Sequence, residues 1–193
     1  MARLGAAALM GICLAVTGCA RSGLDTTAAA AEKLSAAATA YVAVPEDGRF
    51  GTKGYTGSGR TVAALIAAAL SQRFSHVQVA REPQAARTDL AHARTGGFTY
   101  LIRPTILRWE DHDAAWLGGN DTARILLETI DVASGDAADL AVVEARAEAL
   151  APAGDIVTLA EALEAPLRRY ASRLIPTPPE TAAATVAPGP SPY

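Results

Sequence analysis

Glu110, Asp111, His112 and Asp113 form the densest run of polar side chains in the chain, with Trp109 before them and Trp116 and Asp121 after. Carboxylates and an imidazole are the groups that hold metal ions, and a pair of carboxylates can also do general acid–base work. A metal would use His112 with two or three of the carboxylates. The spacing argues against both chemistries, because adjacent residues at a strand end point in opposite directions and few of these groups can converge on one atom. The simplest reading is a solvated hairpin loop with Trp109 packed on the core and Trp116 exposed. The functional alternative is a contact surface made by Trp116 with Glu110, Asp111, His112 and Asp113, since Trp is a frequent interface anchor. The reading assigns no catalytic residue, no metal ligand and no cofactor.

A second stretch invites a nucleotide reading. Gly54-Tyr55-Thr56-Gly57-Ser58-Gly59-Arg60-Thr61 fits G-x-x-x-x-G-K-[ST] except for Arg60 at the Lys position, and it precedes a helical pattern. Arg does not replace the point charge of that Lys. The loop after Val44 is also about ten residues too long for a tight strand-to-helix turn. A flexible loop is expected instead, with Ser58 capping the helix and no bound nucleotide. His76 and His92 stand without an evident acid partner, and no Ser sits in G-x-S-x-G. Glu144, Arg146 and Glu148 alternate as on a solvated sheet face.

The N-terminus carries the most specific signal. Arg3 precedes an apolar stretch from Leu4 to Val16, which is shorter than the ~20 residues a spanning helix needs and has the length of a signal h-region. It ends in Val16-Thr17-Gly18-Cys19. This order resembles the bacterial lipobox, in which small residues let a peptidase cut before a Cys whose sulfur carries lipid. Cys19 is then the lipid-attachment residue (palmitate being the label to follow) and the mature N-terminus. Cys13 is discarded with the signal, so the mature chain has no free thiol and no disulfide. Two or three acyl chains hold such a protein essentially permanently. Ala20 follows Cys19 where an Asp commonly retains lipoproteins in the inner membrane, which points to the outer membrane, facing the periplasm. The net charge of −3 excludes a basic nucleic-acid footprint and makes electrostatic adhesion to anionic lipid a poor substitute for the anchor.

Four segments follow from composition and periodicity. Residues 1–18 are the signal peptide. Residues 19–39 are the lipidated Cys and an Ala-rich tether, with some helix expected between Thr26 and Ala38. Residues 40–175 are one globular domain, and residues 176–193 are a Pro-rich tail too poor in large apolar groups to order itself. Within the domain, strands are expected at Ala40–Val44, His76–Ala80, Phe98–Arg108, Thr122–Ala133 and Leu140–Ala149. Pro104 implies an edge or a bulge in the third of these. Helices are expected at Arg60–Phe74, at Pro83–Arg94 and from near Asp155, the last kinked or restarted at Pro166. Its buried stripe is Leu159, Leu163, Leu167, Tyr170 and Leu174. The fold class is α/β with an α+β character. It has a mixed sheet of about five strands and two to three packed helices, ordered β-α-β-α, then an antiparallel meander and a C-terminal helix.

Pro45-Glu46-Asp47-Gly48, Gly57-Ser58-Gly59 and Trp109-Glu110-Asp111, with Pro104–Arg108 before the last and Asp131–Gly135 beyond it, resemble a proteobacterial lipoprotein family defined by a domain of unknown function. The resemblance covers about residues 40–175 and brings no assigned activity and no functional residues. The element order also looks broadly like envelope accessory lipoproteins of the curli-secretion and penicillin-binding-protein-activator type, at the level of fold alone. The expected function is that of a non-enzymatic envelope lipoprotein, held in the membrane by lipid on Cys19 and binding an envelope protein or cell-wall component. A structural or assembly role in an outer-membrane complex is the alternative, and a hydrolase using Glu110, Asp111 or Asp113 a distant third.

Overall fold

The computed structural model describes residues 23–26, 34, 37–111, 121–147 and 158–175. In chain order the elements are β1 (Gly23–Thr26), β2 (Thr39–Val44), β3 (Arg49–Phe50), β4 (Lys53–Gly54), α1 (Ser58–Leu70), β5 (His76–Pro83), α2 (Ala86–Thr95), β6 (Tyr100–Glu110), β7 (Asp121–Asp131), β8 (Ala137–Ala147) and α3 (Leu159–Leu174). Six strands make one sheet in the order β1-β8-β7-β6-β2-β5, and β3-β4 is a separate small hairpin. β2 lies parallel to both β5 and β6, whereas β6, β7 and β8 form an antiparallel meander. The mixed α/β class and the β-α-β-α-meander-helix order are those the periodicity implies.

Residues of one parity along the central strands face α1 and α3. Val42, Ile102, Ile125, Leu127 and Val143 are buried there with Val62, Ile66 and Leu70 of α1 and Leu163, Leu167 and Leu174 of α3. Each is a Leu, Ile or Val side chain worth ~1.5–3 kcal/mol when fully buried. This is how an Ala-rich chain acquires a core. Tyr170 joins this layer and shares a 2.6 Å hydrogen bond with Thr129 of β7, which satisfies both buried hydroxyls. On the other face, α2 covers only part of the sheet. Tyr41 of β2 meets Phe98 there, with ring centroids 5.5 Å apart.

The start of α3 is fixed by a capping box. Thr158 accepts from the backbone N–H of Glu161, and Glu161 accepts from that of Thr158. The whole expected stripe of α3 is buried. Pro166 does not restart the helix, which runs unbroken from Leu159 to Leu174. Arg173 near its C-terminus donates to buried Asp139 of β8 through Nη1 at 2.7 Å.

Several expectations shift. Gly23–Thr26, expected as tether with helix only from Thr26 onward, adds to the sheet as a sixth strand, antiparallel to β8 with Gly23 opposite Glu144. The open edge of β8 supplies hydrogen-bond partners that the local sequence could not announce. Pro83 does not open a helix but ends β5, which is longer than expected, and α2 begins only at Ala86. Pro104 lies in an interior strand, yet its tolerance has the anticipated cause. Pairing of β6 with β2 stops at Ile102, so Pro104 sits where one side of β6 is open. The irregularity itself falls between Ile106 and Arg108 and leaves Leu107 50% exposed. Glu144 lies on a half-exposed face paired to Arg124 at 2.9 Å, as its alternation with Arg146 suggested.

Candidate functional site

Cys19, His112, Asp113 and Trp116 lie outside the described residues, as do the segments 1–18 and 176–193. Trp109 is buried, with only 4% of its surface exposed, as expected for the residue that roots the loop. Glu110 is buried beside it and is not free for acid–base work. Its carboxylate accepts two hydrogen bonds from Arg108 Nη2, at 2.7 and 2.8 Å, and one from the Thr122 hydroxyl at 2.6 Å. That carboxylate in turn raises the pKa of the Arg108 guanidinium. Asp111 is half-buried, and its carbonyl accepts from Lys53 Nζ at 3.4 Å. Arg108 also lies 5.4 Å over the ring of Phe50 on β3. Phe50 and Leu107 are exposed large apolar side chains, both on elements adjoining this region.

The glycine-rich stretch has a different purpose from the one its spacing suggests. Asp47 accepts from the backbone N–H groups of Gly57 at 3.0 Å and Gly59 at 2.8 Å. Its carboxylate thereby takes the amides at the start of α1 that a phosphate would need. Those bonds hold its pKa below the ordinary carboxylate value. Ser58 does not cap α1; the helix has Gly57 at its N-cap with φ of 90°, and the Ser58 hydroxyl accepts from Gly48 N–H at 2.8 Å. A Cβ on Gly59 would lie 2.2 Å from the Pro45 carbonyl oxygen, and one on Gly48 would lie 2.5 Å from Trp109 Cβ. The Pro-Glu-Asp-Gly, Gly-Ser-Gly and Trp-Glu-Asp stretches therefore meet in one knot, in which glycine is required for close approach.

Beside the knot lies a cleft. β2 is flanked by β5 on one side and β6 on the other, and the chain passes from β2 to β5 and then back across to β6. A crevice opens where successive connections leave a parallel sheet in opposite directions, at the C-terminal strand ends. Here it is a cavity of about 200 Å³ between Val44, Glu46, Gln84, Asp89, Arg103 and Thr105. Asp89 of α2 is 2% exposed, and its Oδ1 has no hydrogen-bond partner. Burial pushes its pKa up, opposed by the charges of Arg103 and His92. Arg103 is held by Glu128, with Nη1 donating to Oε2 at 3.0 Å. Sequence reading missed Asp89. The available signal was an Asp on the face of a helix that also buries Ala93, three residues before His92. His92 thus has an acid neighbour that was overlooked. It lines, with His76, Tyr41 and Phe98, a separate groove of about 620 Å³ between β5 and α2. Among the described residues, no group of three or more His, Cys, Asp or Glu is placed to hold a metal ion.

Solved structures of PelC share this architecture. The PelC dodecamer from Paraburkholderia phytofirmans superposes with a TM-score of 0.61 at 15% identity, over 80% of this chain and 98% of that one. Lipoprotein GNA1162 from Neisseria meningitidis gives a TM-score of 0.43 at 14% identity, over 56% of this chain and 82% of that one. At these identities the likeness to PelC is one of fold. The search of curated protein sequences found no match. A family model covers the chain from just before the buried Leu34 to the end of α3, leaving out β1. Matching over residues 32–174, the chain belongs to the family described as a domain of unknown function (DUF4823).

Proposed function

We propose that this protein is a non-enzymatic lipoprotein of the bacterial envelope, anchored through Cys19, whose domain binds a protein partner at the end of the sheet nearest the anchor. The observation that carries the reading is the coincidence of three features at one end. β1 pairs with β8 so that Gly23 lies opposite Glu144, near the β8 terminus that adjoins the Glu110 end of β6. Cys19 is four residues before Gly23, a separation of at most about 14 Å. The tether is therefore far shorter than the ~65 Å that twenty extended residues would span. Exposed Phe50 and Leu107 adjoin the same end, where Glu110 and Asp111 begin the segment that carries His112, Asp113 and Trp116. Exposed large apolar groups rimmed by charge suit a protein contact. Glu110 is engaged by Arg108 and Thr122, which weakens the hydrolase alternative.

A photo-crosslinking residue in place of Leu107 should capture a partner in living cells, and Phe50→Ser should lower the yield without changing the melting temperature. Capture unaffected by Phe50→Ser, or by Trp116→Ala, would refute this surface. The assembly reading has its own support. PelC, which shares the fold, is a dodecamer, and β5 here is a sheet-edge strand of eight residues with mostly exposed side chains. A second copy of this chain is accordingly the first partner to test. Sedimentation of the mature protein at micromolar concentration decides it, a multimer supporting assembly and a monomer excluding it.

A further inference from the structure

We propose that the groove between β5 and α2 is a saccharide-binding site that takes an uncharged pyranose ring, with Tyr41 at its floor and the ring of His76 as a wall. The shape follows from how α2 sits. The helix packs on β6, so the same face of β2 and β5 is left as a groove of about 620 Å³. That lies within the ~300–1,000 Å³ of small-ligand sites. Tyr41 of β2 lies opposite Gln78 of β5, and His76 precedes Gln78 by two residues, so the three side chains share one face. The His76 ring stacks on that of Phe98, with centroids 5.8 Å apart and planes 19° apart, and Tyr41 meets the same Phe98. Exposed His76 thus has its plane set by a buried ring. Tyr41 is itself only 4% exposed. Its hydroxyl has no hydrogen-bond partner among the described residues, yet it is not one of their sealed unpartnered atoms, which are Asp89 Oδ1 and Arg173 Nε. The part of Tyr41 that stays open therefore includes the hydroxyl, and it opens into the groove. Buried tyrosine hydroxyls find partners, and an occupant of the groove supplies one here.

The lining groups select the ligand. Aromatic faces carry negative charge density and receive the slightly positive C–H groups of a sugar ring. The amides of Gln78 and Gln84 and the hydroxyl of Thr95 can each donate and accept, as every sugar hydroxyl does. Arg81 and Glu82 on the rim are adjacent in sequence and opposite in sign, so an ionic ligand gains little net attraction. A wholly apolar ligand would cover the Tyr41 hydroxyl and these amides without answering them, which is costly. An uncharged ring with C–H faces and hydroxyl edges answers both kinds of group. Its source is either a free sugar or a unit of a glycan chain. The groove lies away from the Phe50–Leu107 surface, and the site stands independently of the protein-partner reading.

The test titrates the full-length mature protein, in a phosphocholine detergent that carries no sugar of its own. The probes are glucose, galactose, mannose and N-acetylglucosamine, and the β-1,4-linked trimers of glucose and N-acetylglucosamine. Cyclohexanol is the control for an apolar ring and adenosine the control for aromatic stacking. Binding is followed by backbone amide chemical shifts. At least one sugar should move resonances of residues 76–79, 92–96 and 98 to saturation, and the controls should not. Tighter binding of a trimer than of its monomer identifies a glycan chain, and equal binding identifies a free sugar. Tyr41→Phe removes only the hydroxyl and keeps the ring against Phe98, so the fold and the melting temperature are retained. It should weaken binding by about threefold to tenfold, the scale of one neutral hydrogen bond. His76→Ala is an exposed change and should weaken binding severalfold, whereas His76→Trp keeps a ring at the wall and should retain it. No shifts with any of these sugars at about 50 mM, equal binding of cyclohexanol or adenosine, or unaltered binding in Tyr41→Phe or His76→Ala would each overturn the proposal.

Discussion

Asp47 and Asp89 stand at the same end of the same sheet and have opposite fates. Asp47 is on an exposed loop, yet its carboxylate is engaged by two backbone N–H groups at the start of α1. Asp89 is on a helix, 2% exposed, and its Oδ1 meets nothing. The first is a structural clamp that replaces a bound anion at a helix N-terminus. The second is a buried acceptor whose desolvation is offset only in part, by the charges of Arg103 and His92. The difference teaches that the motif-bearing region, rich in Gly and acids, holds the fold together. The candidate site lies next to it, in a segment with no motif at all.

The comparison breaks most severely if the knot proves dispensable. Trp109→Ala removes a buried side chain on which Gly48 rests, and should cost roughly 3–5 kcal/mol in urea melts. A loss under about 1 kcal/mol would show that the knot does not depend on the Trp. Gly59→Ala comes next. Its Cβ would be 2.2 Å from a carbonyl oxygen that belongs to the backbone and cannot swing away, so about 1–3 kcal/mol should be lost. Asp47→Ala should cost about 1 kcal/mol, as for other helix caps, read as a lowered urea midpoint at neutral pH. Asp89→Asn should have the smallest effect, neutral or stabilising by less than about 1 kcal/mol at pH 7, because it removes a buried charge.

pH sharpens the contrast, because the two aspartates act with opposite sign. The folded pKa of Asp47 is depressed, so its contribution is present above its ordinary value of 3.8 and is lost as pH falls through the folded value. The folded pKa of Asp89 is raised, so stability associated with it is greatest below 3.8 and declines as pH rises through the folded value. Melting temperatures across pH 2–8 should therefore lose part of their acid-side slope in Asp47→Asn. In Asp89→Asn the curve should decline less toward neutral pH. Parallel curves for wild type and both variants would erase the distinction drawn between the two carboxylates.

Much of the fold was legible because it follows from periodicity. A stripe of Leu159, Leu163, Leu167, Tyr170 and Leu174 specifies the buried face of a helix whatever it packs on, and alternating residues specify β7 and β8. The proposed anchor on Cys19 likewise rests on a local pattern, Val16-Thr17-Gly18-Cys19. The sequence by itself also supplied the glycines and acids of the knot, though not their pairing. Only the tertiary structure decided which partner each group received. The amides of Gly57 and Gly59 lie ten and twelve residues from the carboxylate they bind. Gly23–Thr26 becomes a strand because β8, more than a hundred residues away, has an open edge. Asp89 becomes buried because α2 packs against β6 with that residue on its buried face, where Oδ1 meets no hydrogen-bond partner. Local sequence sets the period of an element and the charge of a side chain. The dielectric and the hydrogen-bond partners that give that charge its energy come from distant parts of the chain, and folding alone brings them together.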